Sequence, residues 1–172
     1  GDIRAVLSTI LHSDEFKNSF AQKIKRPFEL VASTARALDM QMDDALSLAL
    51  ALRLMGQGLF QHLTPDGYPD SGTAWINTGG LLARWNFALL AVNGRVPRTH
   101  VDLRAAMSGA SLKTAGDAVD FWTNRILHRA IPDADRQKLL KAVSAGATAN
   151  FDPAKLPDLV ALILASPHFQ YK

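Results

Sequence analysis

A long irregular segment, residues 57–78, concentrates side chains that could bind or transform a ligand. Five polar and aromatic residues stand out in it or just after it: Asp66, Tyr68, Trp75, Arg84 and Asn86. In one interpretation they form a ligand pocket, because aromatic rings offer stacking surfaces and arginine suits the binding of an anion. Loops of this length inside compact domains are uncommon and often functional.

The same residues also have a structural interpretation. A stretch of about twenty residues without periodicity loses much conformational entropy on folding, and few large apolar groups in it can offset that loss. Under this hypothesis Trp75 anchors the loop to the core. Arg84 and Asn86 then hydrogen-bond carbonyl groups of the loop. We favour this interpretation and keep the pocket as the alternative.

Other catalytic and metal-binding patterns are missing from the sequence. It has no cysteine, and its five histidines never stand three or four residues apart. Asp66 and Asp70 are suited to turns, and they lack the bidentate glutamate of an EF-hand calcium loop. We therefore predict neither a metal site nor another cofactor.

Residues that typically start and end helices recur along the chain and predict an all-α fold. We expect an irregular multi-helix domain of about seven helices with one long central loop. Asp43 and Gly56 would bound a helix that is apolar nearly all round, which predicts a buried, central position. Thr114 and Asp117 form a capping box ahead of another helix. Further helices are expected over 3–11, from 27, and over 79–92, 101–107, 133–145 and 157–165.

Length and charge restrict the class of protein. A chain of 172 residues is expected to form a single helical domain over 1–172. Its net charge of +3 is too small to indicate nucleic acid as a partner. No apolar run approaches the roughly 20 residues of a membrane-spanning helix, so we predict no membrane span.

Three short segments of the sequence are more specific than composition and length, because they resemble the motifs of a protein family. The first is KIKRPFELV at 23–31, followed by RAL at 36–38. The second runs from MGQ at 55–57 through GYP and Trp75 to RWNF at 84–87, and the third is SPHFQ at 166–170. In this order they resemble elements of the C-terminal part of the bacterial "domain of unknown function 1800" family. Tyr68 stands where many members have tryptophan.

The resemblance implies that the chain is the C-terminal part of a larger, exported or periplasmic bacterial protein. The N-terminal region of that protein is then one expected partner. A second is the phosphatase-like protein that is often encoded in a neighbouring gene. Our leading hypothesis is a helical interaction or scaffold module. The alternative is part of a hydrolase-like or ligand-binding enzyme, whose active site the N-terminal region completes.

The first predicted helix bears on these hypotheses. Ile3, Val6, Leu7 and Ile10 give it an apolar face. We expect part of this face to contact the N-terminal region. In this chain alone it would then be exposed or paired with another copy.

Overall fold

The chain is mostly helical, as the sequence predicts. A computed structural model describes residues 1–110, 112–144 and 146–172. Within these ranges, 57% of the chain is helical and there are nine α-helices. They are α1 Ile3–His12, α2 Asp14–Lys17, α3 Pro27–Ala37, α4 Ala49–Leu54, α5 Thr78–Val92, α6 Ala115–Leu127, α7 Asp133–Val143, α8 Leu156–Ala165 and α9 Pro167–Gln170.

The described ranges contain nine α-helices where the sequence predicts about seven, and short elements account for the difference. The one-turn helices α2 and α9 were not predicted, and the helix expected over 101–107 is a 3-10 turn at Ala105–Met107. Further 3-10 turns lie at Ala45–Leu48, Gly72–Trp75 and Pro153–Lys155. Two two-residue strands, β1 Gln41–Met42 and β2 Thr99–His100, pair antiparallel. Strands this short give no alternating pattern that a sequence could reveal.

Local side chains fix several helix starts. Thr114 Oγ1 accepts from the Asp117 backbone N–H at 3.1 Å, and the Asp117 carboxylate accepts from the Thr114 N–H at 2.9 Å. This reciprocal pair is the capping box that the sequence predicts for α6. Pro27 occupies the first turn of α3, and Glu29 accepts from the Arg26 N–H at 2.8 Å. Proline suits this position because its missing N–H would have no helical partner.

The core forms around α8, which packs on α5, α6 and α7. Five large apolar side chains of α8 are buried: Leu156, Leu159, Val160, Ile163 and Leu164. Trp122 and Val119 of α6 are also fully buried. A helix that is apolar on most of its surface needs neighbours on most sides, and α8 has them.

The expected central helix over 43–55 is instead peripheral, which corrects the sequence prediction. It begins with the 3-10 turn Ala45–Leu48, capped by Asp44 rather than Asp43, and continues as α4. Leu52 is buried, whereas Leu46, Leu50 and Leu54 are 76%, 59% and 67% exposed. The helix packs against α3 and α5 on its inner side, and its remaining leucines stay largely exposed.

The residues that precede α3 lie beside the last residues of the chain. Residues 23–25 pair antiparallel with the last residues through a bridge between Ile24 and Tyr171. The Lys172 backbone N–H donates to the Lys23 carbonyl at 2.8 Å, and the Lys25 backbone N–H donates to the Gln170 carbonyl at 2.8 Å. These bonds attach α9 to the segment that leads into α3.

Helix α1 lies outside this core. None of its residues is buried, and its apolar residues Ile3, Val6, Leu7, Ile10 and Leu11 are all at least half exposed. The exposure agrees with the expectation for this face. Separately, none of the helices in the described ranges has the length and hydrophobicity required to cross a bilayer.

Candidate functional site

The long loop is held together by aromatic side chains. The rings of His62 and Tyr68 lie 4.7 Å apart, and those of Tyr68 and Trp75 lie 6.1 Å apart. The Tyr68 hydroxyl donates to the Gly58 carbonyl at 2.7 Å, and the Trp75 indole donates to the Pro69 carbonyl at 3.1 Å. Trp75 is buried. Its burial agrees with the anchor hypothesis, although Trp75 is not part of the main apolar core.

The Arg84 side chain makes its hydrogen bonds outside the long loop. Its side chain is buried, and its two terminal nitrogens donate to the Gln170 side-chain oxygen at 3.0 Å and to the Lys25 carbonyl at 2.8 Å. The expectation that Arg84 bonds carbonyl groups of the loop is thus wrong. Burial lowers the pKa of Arg84 from its ordinary value. The guanidinium joins α5 to the two segments that pair at the ends of the core.

The two remaining predicted site residues are exposed. Asp66 accepts from the Thr64 hydroxyl and lies 3.2 Å from His62 Nε2, and these hydrogen bonds lower the pKa of Asp66. Asn86 lies on α5, away from the loop cluster, at the edge of a groove. The structure thus groups Asp66, Tyr68 and Trp75 but places Arg84 and Asn86 in two other environments. Ligand binding by these five residues stays a prediction.

That groove, which we call the leucine groove, is a surface that the sequence analysis missed. It is a cavity of about 560 Å³ between α5 and the segment formed by Ala45–Leu48 and α4. Five leucines line it, namely Leu46, Leu50, Leu54, Leu82 and Leu90, together with other apolar residues. An ion pair between Arg98 and Asp44 lies at its edge and lowers the pKa of Asp44. The signal in the sequence was the apolar helix itself, which we expected to be covered.

A second cleft, which we call the basic cleft, has the opposite character. It measures about 700 Å³ and lies between the C-terminal ends of α3 and α6 and the end of the chain. Five lysine and arginine side chains line it, namely Lys25, Arg36, Arg125, Arg129 and Lys172, together with His128 and His168. They come from four separate parts of the sequence, so their convergence depends on tertiary structure. Within the described ranges, no cluster of three His, Asp or Glu side chains could hold a metal ion.

These observations define a mostly α-helical protein whose helices pack in an irregular arrangement. Over residues 1–171 the chain matches the family model described as "Protein of unknown function (DUF1800)", and it belongs to that family. The resemblance seen in the three sequence segments is therefore confirmed. No curated protein and no solved structure matches the chain.

Proposed function

We propose that this chain is a protein interaction module whose leucine groove binds an amphipathic helix. The observation that carries the proposal is the set of exposed leucines on both walls of the groove. Contiguous apolar surface on a protein marks binding sites, because its burial is favourable. A groove between two helices suits a third helix, which presents apolar residues at helical spacing.

The chain contains a helix of the required chemistry. The apolar face of α1 is exposed over ten residues, or about 15 Å of helix. The wall of the groove formed by residues 45–54 also has ten residues. We therefore propose α1 of a second copy as the occupant. Since each copy carries one helix and one groove, a reciprocal exchange closes a twofold dimer.

The test is the oligomeric state of the 172-residue chain, measured by light scattering after size exclusion. We expect a dimer at high micromolar concentration that dissociates on dilution. Leu50→Asp in the groove and Leu7→Asp on α1 should each abolish it, because both place a charge in an apolar contact. Leu63→Asp is the matched control, since Leu63 is 99% exposed and lies outside the groove.

Two results would contradict this proposal. One is a wild-type chain that is monomeric at all concentrations and does not bind a peptide of residues 1–13. The other is a dimer that Leu50→Asp and Leu63→Asp weaken equally. Circular dichroism of each variant checks that the helices remain.

Three further parts of the proposal rest on the family resemblance. They are export from a bacterial cell, binding to an N-terminal region of the same protein, and binding to a phosphatase-like partner. Cell fractionation and co-purification of the full-length protein test them. The alternative, an enzyme completed by an N-terminal region, predicts that Asp66→Asn and Tyr68→Phe abolish an activity of the full-length protein without unfolding it.

A further inference from the structure

The basic cleft brings together cations that are distant in the sequence. Lys25 precedes α3, Arg36 lies in the last turn of α3, and Arg129 follows α6. All three line the same cavity. Like charges repel, so gathering these cations lowers the stability of the folded chain unless something else compensates.

Ion pairs within the protein compensate only part of this charge. Lys172 pairs with Glu29, and Arg125 pairs with Asp39 at 3.5 Å. In the described ranges, Lys25, Arg36 and Arg129 form no ion pair. Lys25 instead lies 3.6 Å from the centre of the Phe169 ring, and Arg129 lies 4.9 Å from that of Phe20. Arg129 also donates to the His168 carbonyl at 3.1 Å.

Helix termini explain some of these positions. Cations are favourable near the negative C-terminal end of a helix. Arg125, in the last turn of α6, donates to the Ala37 carbonyl at the end of α3. Lys25 belongs to no helix end, because it lies in the connector before α3. Partial burial, together with the charges of Lys172 and Arg129, lowers the pKa of Lys25 to about 8, although Glu29 opposes the shift.

We propose that the basic cleft binds the phosphate group of a small molecule, held by Lys25, Arg36 and Arg129. Two guanidinium groups and an ammonium group carry three positive charges, enough to neutralise a phosphate dianion, and arginine can bind its oxygens in a bidentate manner. The cavity volume of about 700 Å³ leaves room for an organic part of the ligand. The rings of Phe20 and Phe169 and the hydroxyl-bearing Tyr171 line the same space.

The test is isothermal titration calorimetry of the 172-residue chain in low-salt, phosphate-free buffer at pH 7. The ligands are inorganic phosphate and glycerol 3-phosphate, with acetate as a singly charged comparison. We expect saturable binding of both phosphates and much weaker binding of acetate. If glycerol 3-phosphate binds more tightly than inorganic phosphate, the ligand is a phosphorylated organic molecule. Equal binding of the two identifies free phosphate.

Arg36→Met and Arg53→Met form the matched pair of variants. Both arginines are exposed and lie in the last turn of a helix, but Arg53 does not line the cleft. Arg36→Met should weaken phosphate binding about tenfold, the effect of losing one charge-assisted contact. Arg53→Met should leave it unchanged. Because Arg36 is exposed, its loss is not expected to unfold the chain.

Three results would overturn this assignment. One is the absence of saturable phosphate binding by the wild-type chain at millimolar concentration. Another is equal weakening by Arg36→Met and Arg53→Met, which would mean that general surface charge attracts the anion. The last is binding of a single-stranded oligonucleotide more tightly than either small phosphate.

Discussion

The guanidinium of Arg84 donates a 3.0 Å hydrogen bond to the side-chain oxygen of Gln170, 86 residues further along the chain. Gln170 in turn donates from its amide nitrogen to the Leu164 carbonyl at 3.0 Å. Both side chains are buried, so neither can exchange this partner for water. This pair therefore fixes the position of α9 against α5.

Arg84→Met should destabilise the chain by about 2–4 kcal/mol, because it leaves Gln170 and the Lys25 carbonyl buried without a donor. Urea denaturation followed by circular dichroism measures the change. Gln170→Leu is the second variant, and the double variant should lose less than the sum of the two single losses. A loss below about 1 kcal/mol for Arg84→Met, typical of a surface change, would contradict the role assigned to this pair.

Trp75→Ala should destabilise the chain by about 3–5 kcal/mol, the range for buried aromatic residues. The molecule offers its own control, because Trp85 is 46% exposed on α5. Trp85→Ala should therefore lower the free energy of unfolding by much less than Trp75→Ala. Thermal or urea melts of both variants make the comparison. Equal losses would mean that Trp75 does not anchor the loop, and the ligand-pocket interpretation would then gain support.

Lys25→Met should change how stability depends on pH. The pKa of Lys25 is about 8 in the folded chain, against an ordinary value near 10.5. The unfolded chain therefore binds more protons between these values, so the contribution of Lys25 to the unfolding free energy rises with pH across that window. Below about pH 8, Lys25 is charged in both the folded and the unfolded chain, so its burial lowers the free energy of unfolding by an amount that does not change with pH.

The variant keeps an apolar side chain over Phe169 without the charge. In phosphate-free buffer we expect Lys25→Met to be more stable than the wild-type chain at pH 7. The difference should shrink as the pH rises from 8 towards 10.5. Urea denaturation at pH 7, 9 and 10 measures it. A difference that grows over the same range would show that the sign of the shift is wrong.

Thr114→Ala should cost about 1 kcal/mol, the usual effect of removing a helix N-cap. The hydroxyl of Thr114 accepts from the Asp117 N–H, which has no carbonyl partner within the helix. Thr148→Ala is a suitable control, because Thr148 is exposed and lies outside the helices. If the two variants melt at the same temperature, the capping box contributes nothing measurable.

Features that depend on a few neighbouring residues could be predicted from the sequence. Thr114 and Asp117 lie in one turn, so their types and spacing specify the capping box of α6 directly. Pro27 likewise indicated the start of α3. Trp75 could be proposed as an anchor because it is the largest apolar side chain of its segment.

Features that depend on packing could not be predicted in this way. The apolar composition of residues 45–54 indicates that the helix needs neighbours, but it does not say how many sides receive one. Trp85 is large and apolar, which favours a core position, yet it is 46% exposed beside Ala161 and Leu162 of α8. The basic cleft depends on bringing Lys25 near Arg129, which no local pattern encodes.

The hydrogen bonds between Lys23 and Lys172 have a topological consequence. Residues 23–172 form a nearly closed ring of chain, with α1 and α2 outside it. A linker of a few glycines would join residue 172 to residue 23, and the ring could be reopened at the exposed loop position Leu63. Such a circular permutant would keep the contacts between α5 and α8, since the order in which the segments are connected is separable from the way they pack.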